Sequence, residues 1–139
     1  MKDLKLGSIS LFISALLLTI LTTAPAAAAP GQYAPIASRE STLQQYKEWI
    51  KEARATYPYR DSADKMYRVM MCESVGDPRA VGGRGRWHGL FQYVPSTWRQ
   101  SWNPYRQSDI YDARAQIFAT AKAWSIGMQN HWTCYKLTR

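Results

Sequence analysis

Few side chains in this chain of 139 residues are placed to move a proton. The strongest candidate is Glu73, in Met71-Cys72-Glu73-Ser74, beside one of only two cysteines. Met66, Val69, Met70 and Glu73 fall at i, i+3, i+4 and i+7, so the carboxyl shares the apolar stripe of a helix. Withdrawal from water disfavours the charged form and raises the pKa. Gly76 and then Pro78 end the helix, which leaves Glu73 in the last turn, where the negative end of the dipole acts in the same sense. A carboxylic acid kept protonated in this way can protonate a poor leaving-group oxygen near neutral pH, the step that glycosidic-bond cleavage requires. The competing reading is a satisfied buried carboxylate, paired with Arg68 or Arg114.

The remaining composition narrows the chemistry. Two cysteines allow one disulfide and no ordinary four-ligand zinc site. With His88 and His131 as the only histidines, and no H-E-x-x-H, neither a metal centre nor a cofactor is expected. A net charge of +8 favours polyanionic partners, whether nucleic acid, anionic lipid or an acidic cell-wall polymer. Six Trp and nine Tyr supply flat rings that suit bases and sugars alike. Among Trp87, Tyr93, Trp98, Trp102 and Tyr105, Trp98 is expected in the core and Trp87 in a groove. His88 is expected to be a loop hydrogen-bonder, with a substrate contact as the alternative. The glycine- and arginine-rich run from Gly82 to His88 lacks the Gly-Lys-Ser/Thr ending of a phosphate-cradling loop.

The elements that must position these residues follow from patterning. Residues 1–29 read as a secretion signal: Lys2 and Lys5, an apolar run from Ile9 to Leu21, then small residues to Ala29. Cleavage is expected after Ala28 or slightly earlier, because Pro30 is a poor residue to follow the cut. The apolar run is shorter than the roughly 20 residues of a spanning helix, so contact with the membrane is expected only during export. The product is then secreted, periplasmic or held in the cell envelope. An oxidising compartment makes a Cys72–Cys134 bridge the expected state. Residues 30–40 read as a disordered linker, and 41–139 as one monomeric domain. Ser41-Thr42-Leu43-Gln44 has the pattern of a capping box, and Leu43, Tyr46, Ile50, Ala53 and Tyr57 continue at helical spacing. A second helix starts at Asp61 or Ser62, a short one spans Pro95–Trp102, and a last one runs from Asp109 to Met128. Its expected stripe is Ile117, Phe118, Ala121, Trp124 and Met128. The fold class is mainly α, with room for a small hairpin within 79–94.

Glu73-Ser74, the Ala80/Gly82 segment, Gly89-Leu90-Phe91-Gln92 and Pro95-Ser96-Thr97-Trp98 together resemble the soluble lytic transglycosylase (SLT) domain of the lysozyme-like superfamily, over about residues 63–128. Cys72-Glu73-Ser74 with a late Trp132-x-Cys134 is also similar to the resuscitation-promoting factors, a secreted branch of that superfamily. The resemblance implies a lysozyme-like fold and a secreted lytic transglycosylase. Its substrate would be the MurNAc-GlcNAc β-1,4 bond of peptidoglycan glycan strands, and it would need no cofactor. Glu73 would be the acid and then the base. Ser74 would help hold substrate or orient Glu73, and Gln92 would hydrogen-bond the sugar. Trp87 and Tyr93 are the aromatic residues expected to line the groove. Attack by the muramyl C6 hydroxyl would close an anhydro ring, whereas attack by water would make the protein a lysozyme-type hydrolase. A second carboxylate among Asp77, Asp109 and Asp112 could assist, and nothing in the sequence singles one out.

The third family motif is only partly met. Gln116 stands for its Asn, Thr120 for its Gly, and Ala123-Trp124 for its Tyr-Leu. A non-catalytic wall-binding module is the alternative from another class. Nucleic-acid binding rests on charge and aromatics alone and does not fit export.

Overall fold

The computed structural model describes residues 36–138. The expected secretion signal and the start of the expected linker lie outside the described residues. The first helix, α1 (Ile36–Thr56), begins five residues ahead of Ser41. The expected linker is therefore corrected over its last part, where residues 36–40 are helical. Ser41 is no cap: its Oγ donates to the Ser38 carbonyl at 3.0 Å, and Thr42 Oγ1 does the same at 2.8 Å. Hydroxyls that bond back to the preceding turn satisfy themselves inside a helix instead of starting one. Tyr46, Ile50 and Ala53 form the buried stripe of α1, so this helix belongs to the core.

The next helix, α2 (Ala63–Ser74), starts where Ser62 Oγ accepts the Lys65 N–H at 3.0 Å, one of the donors that a helix start otherwise leaves unpaired. Met66, Val69 and Met70 are fully buried, and Glu73, one turn on, reaches the rim. Val75 and Gly76 both take positive φ and turn the chain away. A side chain at Gly76 would sit 2.6 Å from Leu43 Cδ2, so glycine is what allows α1 and the end of α2 to approach.

A two-stranded antiparallel hairpin follows, β1 (Val81–Gly82) and β2 (Trp87–His88), with Val81 opposite His88 and Gly82 opposite Trp87. The helix α3 (Pro95–Trp98) is shorter than expected. Asn103, fully buried, donates to the Trp98 carbonyl at 2.8 Å and accepts from Tyr105 N at 2.9 Å, which turns the chain into a loop. The long helix α4 (Ala113–Ser125) starts four residues later than expected, because Asp112 Oδ1 accepts the Ala115 N–H at 2.9 Å and so caps it. Asp109 Oδ1 instead takes the Tyr111 N–H at 3.0 Å in a separate turn.

Nearly every side of α4 is covered, so the expected five-residue stripe understates its burial, and Met128 lies beyond its end. Its many alanines let neighbours approach on all sides, and α1 packs along it. A 3-10 turn (Gln129–His131) and a short α5 (Thr133–Leu137) bring the tail back to α2, where Cys72 and Cys134 are joined with Cα atoms 5.8 Å apart. The fold is mainly helical with one small hairpin. Among the described residues no helix is long and apolar enough to cross a membrane.

Candidate active site

Glu73 lies in a cleft of about 540 Å³ between two walls. One wall comes from the hairpin and α3, through Trp87, Gln92, Tyr93, Val94, Thr97 and Trp102. The other comes from the tail, through Met128, His131, Trp132 and Thr133. Among the described residues that line it, Glu73 is the only carboxylate.

The carboxyl is half-buried, and its Oε1 accepts the Cys134 backbone N–H at 3.3 Å. Burial pushes its pKa up, and the Cys134 N–H, which favours the charged form, opposes part of that rise. Neither cation that could have paired with it does so: Arg68 binds Asp64, and Arg114 binds Glu52. No described ion pair involves Glu73. A buried acid without a cation is held toward its neutral form, which is the form that can donate a proton.

Trp87 is 44% exposed and stands over the hairpin turn. Gly83, at φ +54°, makes this stand feasible, since a Cβ there would lie 2.6 Å from Trp87 Cε3. The ring thus rests on glycine backbone and keeps surface free for a flat ligand. Gln92, also at positive φ, donates both amide hydrogens to backbone, to Gly89 O in its own turn at 2.9 Å and to Ala80 O, just ahead of β1, at 3.2 Å. What remains is the side-chain oxygen, so Gln92 can only accept from a ligand hydroxyl. Tyr93 is 3% exposed, its hydroxyl bonded to Thr120 Oγ1 at 3.1 Å and its ring edge-on to Trp98 and Trp132. It is a wall of the cleft more than a stacking platform, and burial pushes its phenol pKa up.

Ser74 does not line the cleft. It is buried, donating to Met70 O at 3.3 Å and accepting from Gly76 N at 3.2 Å. Its contribution is to the shape of the end of α2, and through that to the position of Glu73. The three other acids are also elsewhere: Asp77 accepts from Arg79 N at 2.8 Å, Asp109 from Tyr111 N and Asp112 from Ala115 N. Trp98 is in the core, its Nε1 donating to Ser108 O at 3.1 Å. Tyr105 lies outside the cleft against Tyr57, and burial there pushes its phenol pKa up to about 12. His88 is a hydrogen-bonder, but to a different segment: its Nδ1 meets the hydroxyl of Tyr111, in the loop ahead of α4, at 2.7 Å.

Gln116 has a definite task. It is fully buried, accepts from Phe91 N at 2.9 Å and donates to His88 O at 3.1 Å and to Ile110 O. These bonds fasten the Gly89–Gln92 turn onto α4. Gly89 leaves room for the longer amide, because a Cβ at that position would overlap the Gln116 side chain.

The tail wall is what sequence patterning missed. Trp132 is buried, with Nε1 donating to Phe91 O at 2.8 Å, and it separates the cleft from the core. The available signal was the disulfide: a bridge to the residue before Glu73 forces the neighbours of Cys134 to lie near the acid. Among the described residues no group of three or more His, Cys, Asp or Glu could hold a metal ion. No protein-family model, curated protein or solved structure matches this chain.

Proposed function

We propose that this chain is a secreted, monomeric lytic transglycosylase of lysozyme-like fold that cleaves the β-1,4 bond between MurNAc and GlcNAc in peptidoglycan strands. The observation that carries this reading is a cleft with one carboxyl, half-buried, unpaired by any cation and held by a backbone amide. One acid is enough when the substrate supplies its own nucleophile. Glu73 protonates the glycosidic oxygen, becomes a carboxylate, and then takes the proton from the C6 hydroxyl as the anhydro ring closes. The Cys134 N–H stabilises the carboxylate at the intermediate stage. The absence of a second acid in the described lining favours this route over a two-carboxylate hydrolysis. Trp87 offers a face for a sugar ring, and the Gln92 side-chain oxygen accepts from a ring hydroxyl.

Glu73→Gln should leave the fold intact and abolish release of muropeptides from purified sacculi. Full activity in that variant would refute the assignment. Mass spectrometry of the wild-type products separates the chemistries, since anhydro ends are one water lighter than hydrolysed ends. Binding to sacculi without any product would instead make the chain a wall-binding module.

A further inference from the structure

A second hollow, of about 420 Å³, lies on the far side of α3 from the cleft. The hairpin and α3 form the partition. Trp87, Val94 and Thr97 face the cleft, while His88, Pro95 and Trp98 face the hollow. Arg99 and Arg106 stand at its edge, and no carboxylate lines it.

Three observations mark these two arginines. From Pro78 to Ser108 the chain carries five arginines and no lysine, aspartate or glutamate, and the flanking Asp77 and Asp109 accept backbone N–H groups of Arg79 and Tyr111. None of the five is in an ion pair among the described residues, although Arg68 and Arg114 elsewhere are. The backbone that presents the pair is also fixed in advance. Buried Asn103 bonds Trp98 O and Tyr105 N, Trp98 Nε1 holds Ser108 O, and one Arg106 N–H rests on Asn103 O at 3.3 Å. Guanidinium forks on a preorganised loop suit an oxyanion, which can accept two N–H bonds from each.

We propose that this hollow binds the phosphodiester groups of an anionic polymer lacking bases, of the poly(alditol phosphate) kind. A polymer is indicated because the charge is not confined to the hollow: the hairpin that lends it His88 also carries Arg84 and Arg86 in its turn. Bases have no platform in it: Trp98 is buried with its N–H committed, and the Tyr111 ring is set edge-on to His88. The inference does not depend on Glu73 being catalytic, because the two hollows share only their partition.

The test is equilibrium binding of labelled poly(glycerol phosphate) to the chain, at low and at physiological ionic strength. Arg99→Gln/Arg106→Gln should weaken binding by about tenfold or more, equivalent to about 1.4 kcal/mol, while cleavage of peptidoglycan stays unchanged. Lys47→Gln/Lys136→Gln, which removes the same charge from elsewhere on the surface, should stay within about twofold of wild type. Arg99 bonds only through its backbone, to Pro95 O at 3.2 Å, and its side chain makes no described hydrogen bond or ion pair, so Arg99→Gln alone keeps the test open should the double variant lose stability. Equal loss in the arginine and lysine pairs would overturn the proposal. So would polyglutamate or an oligothymidine that binds as tightly as poly(glycerol phosphate).

Discussion

Replacing Gln116 with leucine tests how the loop that carries Gln92 and Tyr93 is held. The two side chains are similar in size, so the variant removes polar contacts with little change in volume. Three bonds go: from Phe91 N, and to His88 O and Ile110 O. His88 O keeps a partner, since it also accepts from Tyr93 N at 2.9 Å. The losses that count are the buried Phe91 N–H and the Ile110 carbonyl. An orphaned buried polar group costs about 1–3 kcal/mol; with the upper end for buried Phe91 N–H and the lower end for the part-buried Ile110 carbonyl, the two together should cost about 4 kcal/mol. In a domain of this size about 1 kcal/mol moves the midpoint by roughly 5 °C, which predicts a fall of about 20 °C. Thermal unfolding followed by circular dichroism measures it, alongside sugar binding or turnover below the new midpoint. A fall of less than about 5 °C, with the cleft working normally, would refute the argument that this amide fastens the turn to α4.

The disulfide and the acid each give a further expectation. Cys72 and Cys134 are 62 residues apart, and opening a loop of that length should cost about 4 kcal/mol in the chain-entropy account, read as a lower denaturant midpoint after reduction or in Cys72→Ser/Cys134→Ser. A loss under about 1 kcal/mol would mean that the unfolded chain gains little freedom when the bridge opens. Burial raises the Glu73 pKa above its unfolded value, so the folded state binds more protons, and stability falls as pH rises from the ordinary carboxylate range through the folded pKa. Glu73→Gln has no such loss and should melt above wild type at neutral pH, with the gap closing in acid. A gap that ignores pH would show that burial does not penalise the charge.

Much of the frame was legible because it rests on local rules. The stripe of Met66, Val69 and Met70 and the cysteine pairing appear as the sequence predicts, and of the two predicted starts for α2, Asp61 and Ser62, Ser62 is the cap. Trp98 is in the core, and the hairpin lies inside the predicted stretch. The misses share a cause, which is competition between partners for one polar group. Ser41 resembles a cap until the Ser38 carbonyl is available to its hydroxyl. Asp109 and Asp112 are both plausible starts for α4, and only Asp112 reaches the Ala115 amide. Ser74 is spent on the end of its own helix, and the Gln92 amide hydrogens are spent on the carbonyls of Gly89 and Ala80. The tail wall has no periodicity to read, because a 3-10 turn and a single tether place it.

The hold of the Cys134 amide on Glu73 also fixes when the site can exist. Glu73 is synthesised 61 residues before the group that positions it. A chain whose synthesis stops ahead of Met128 has the acid and the Trp87 wall but lacks the opposite side of the cleft. The cleft therefore has both its walls only once the tail is made, and the bridge from Cys134 to Cys72 tethers that second wall beside the residue it faces.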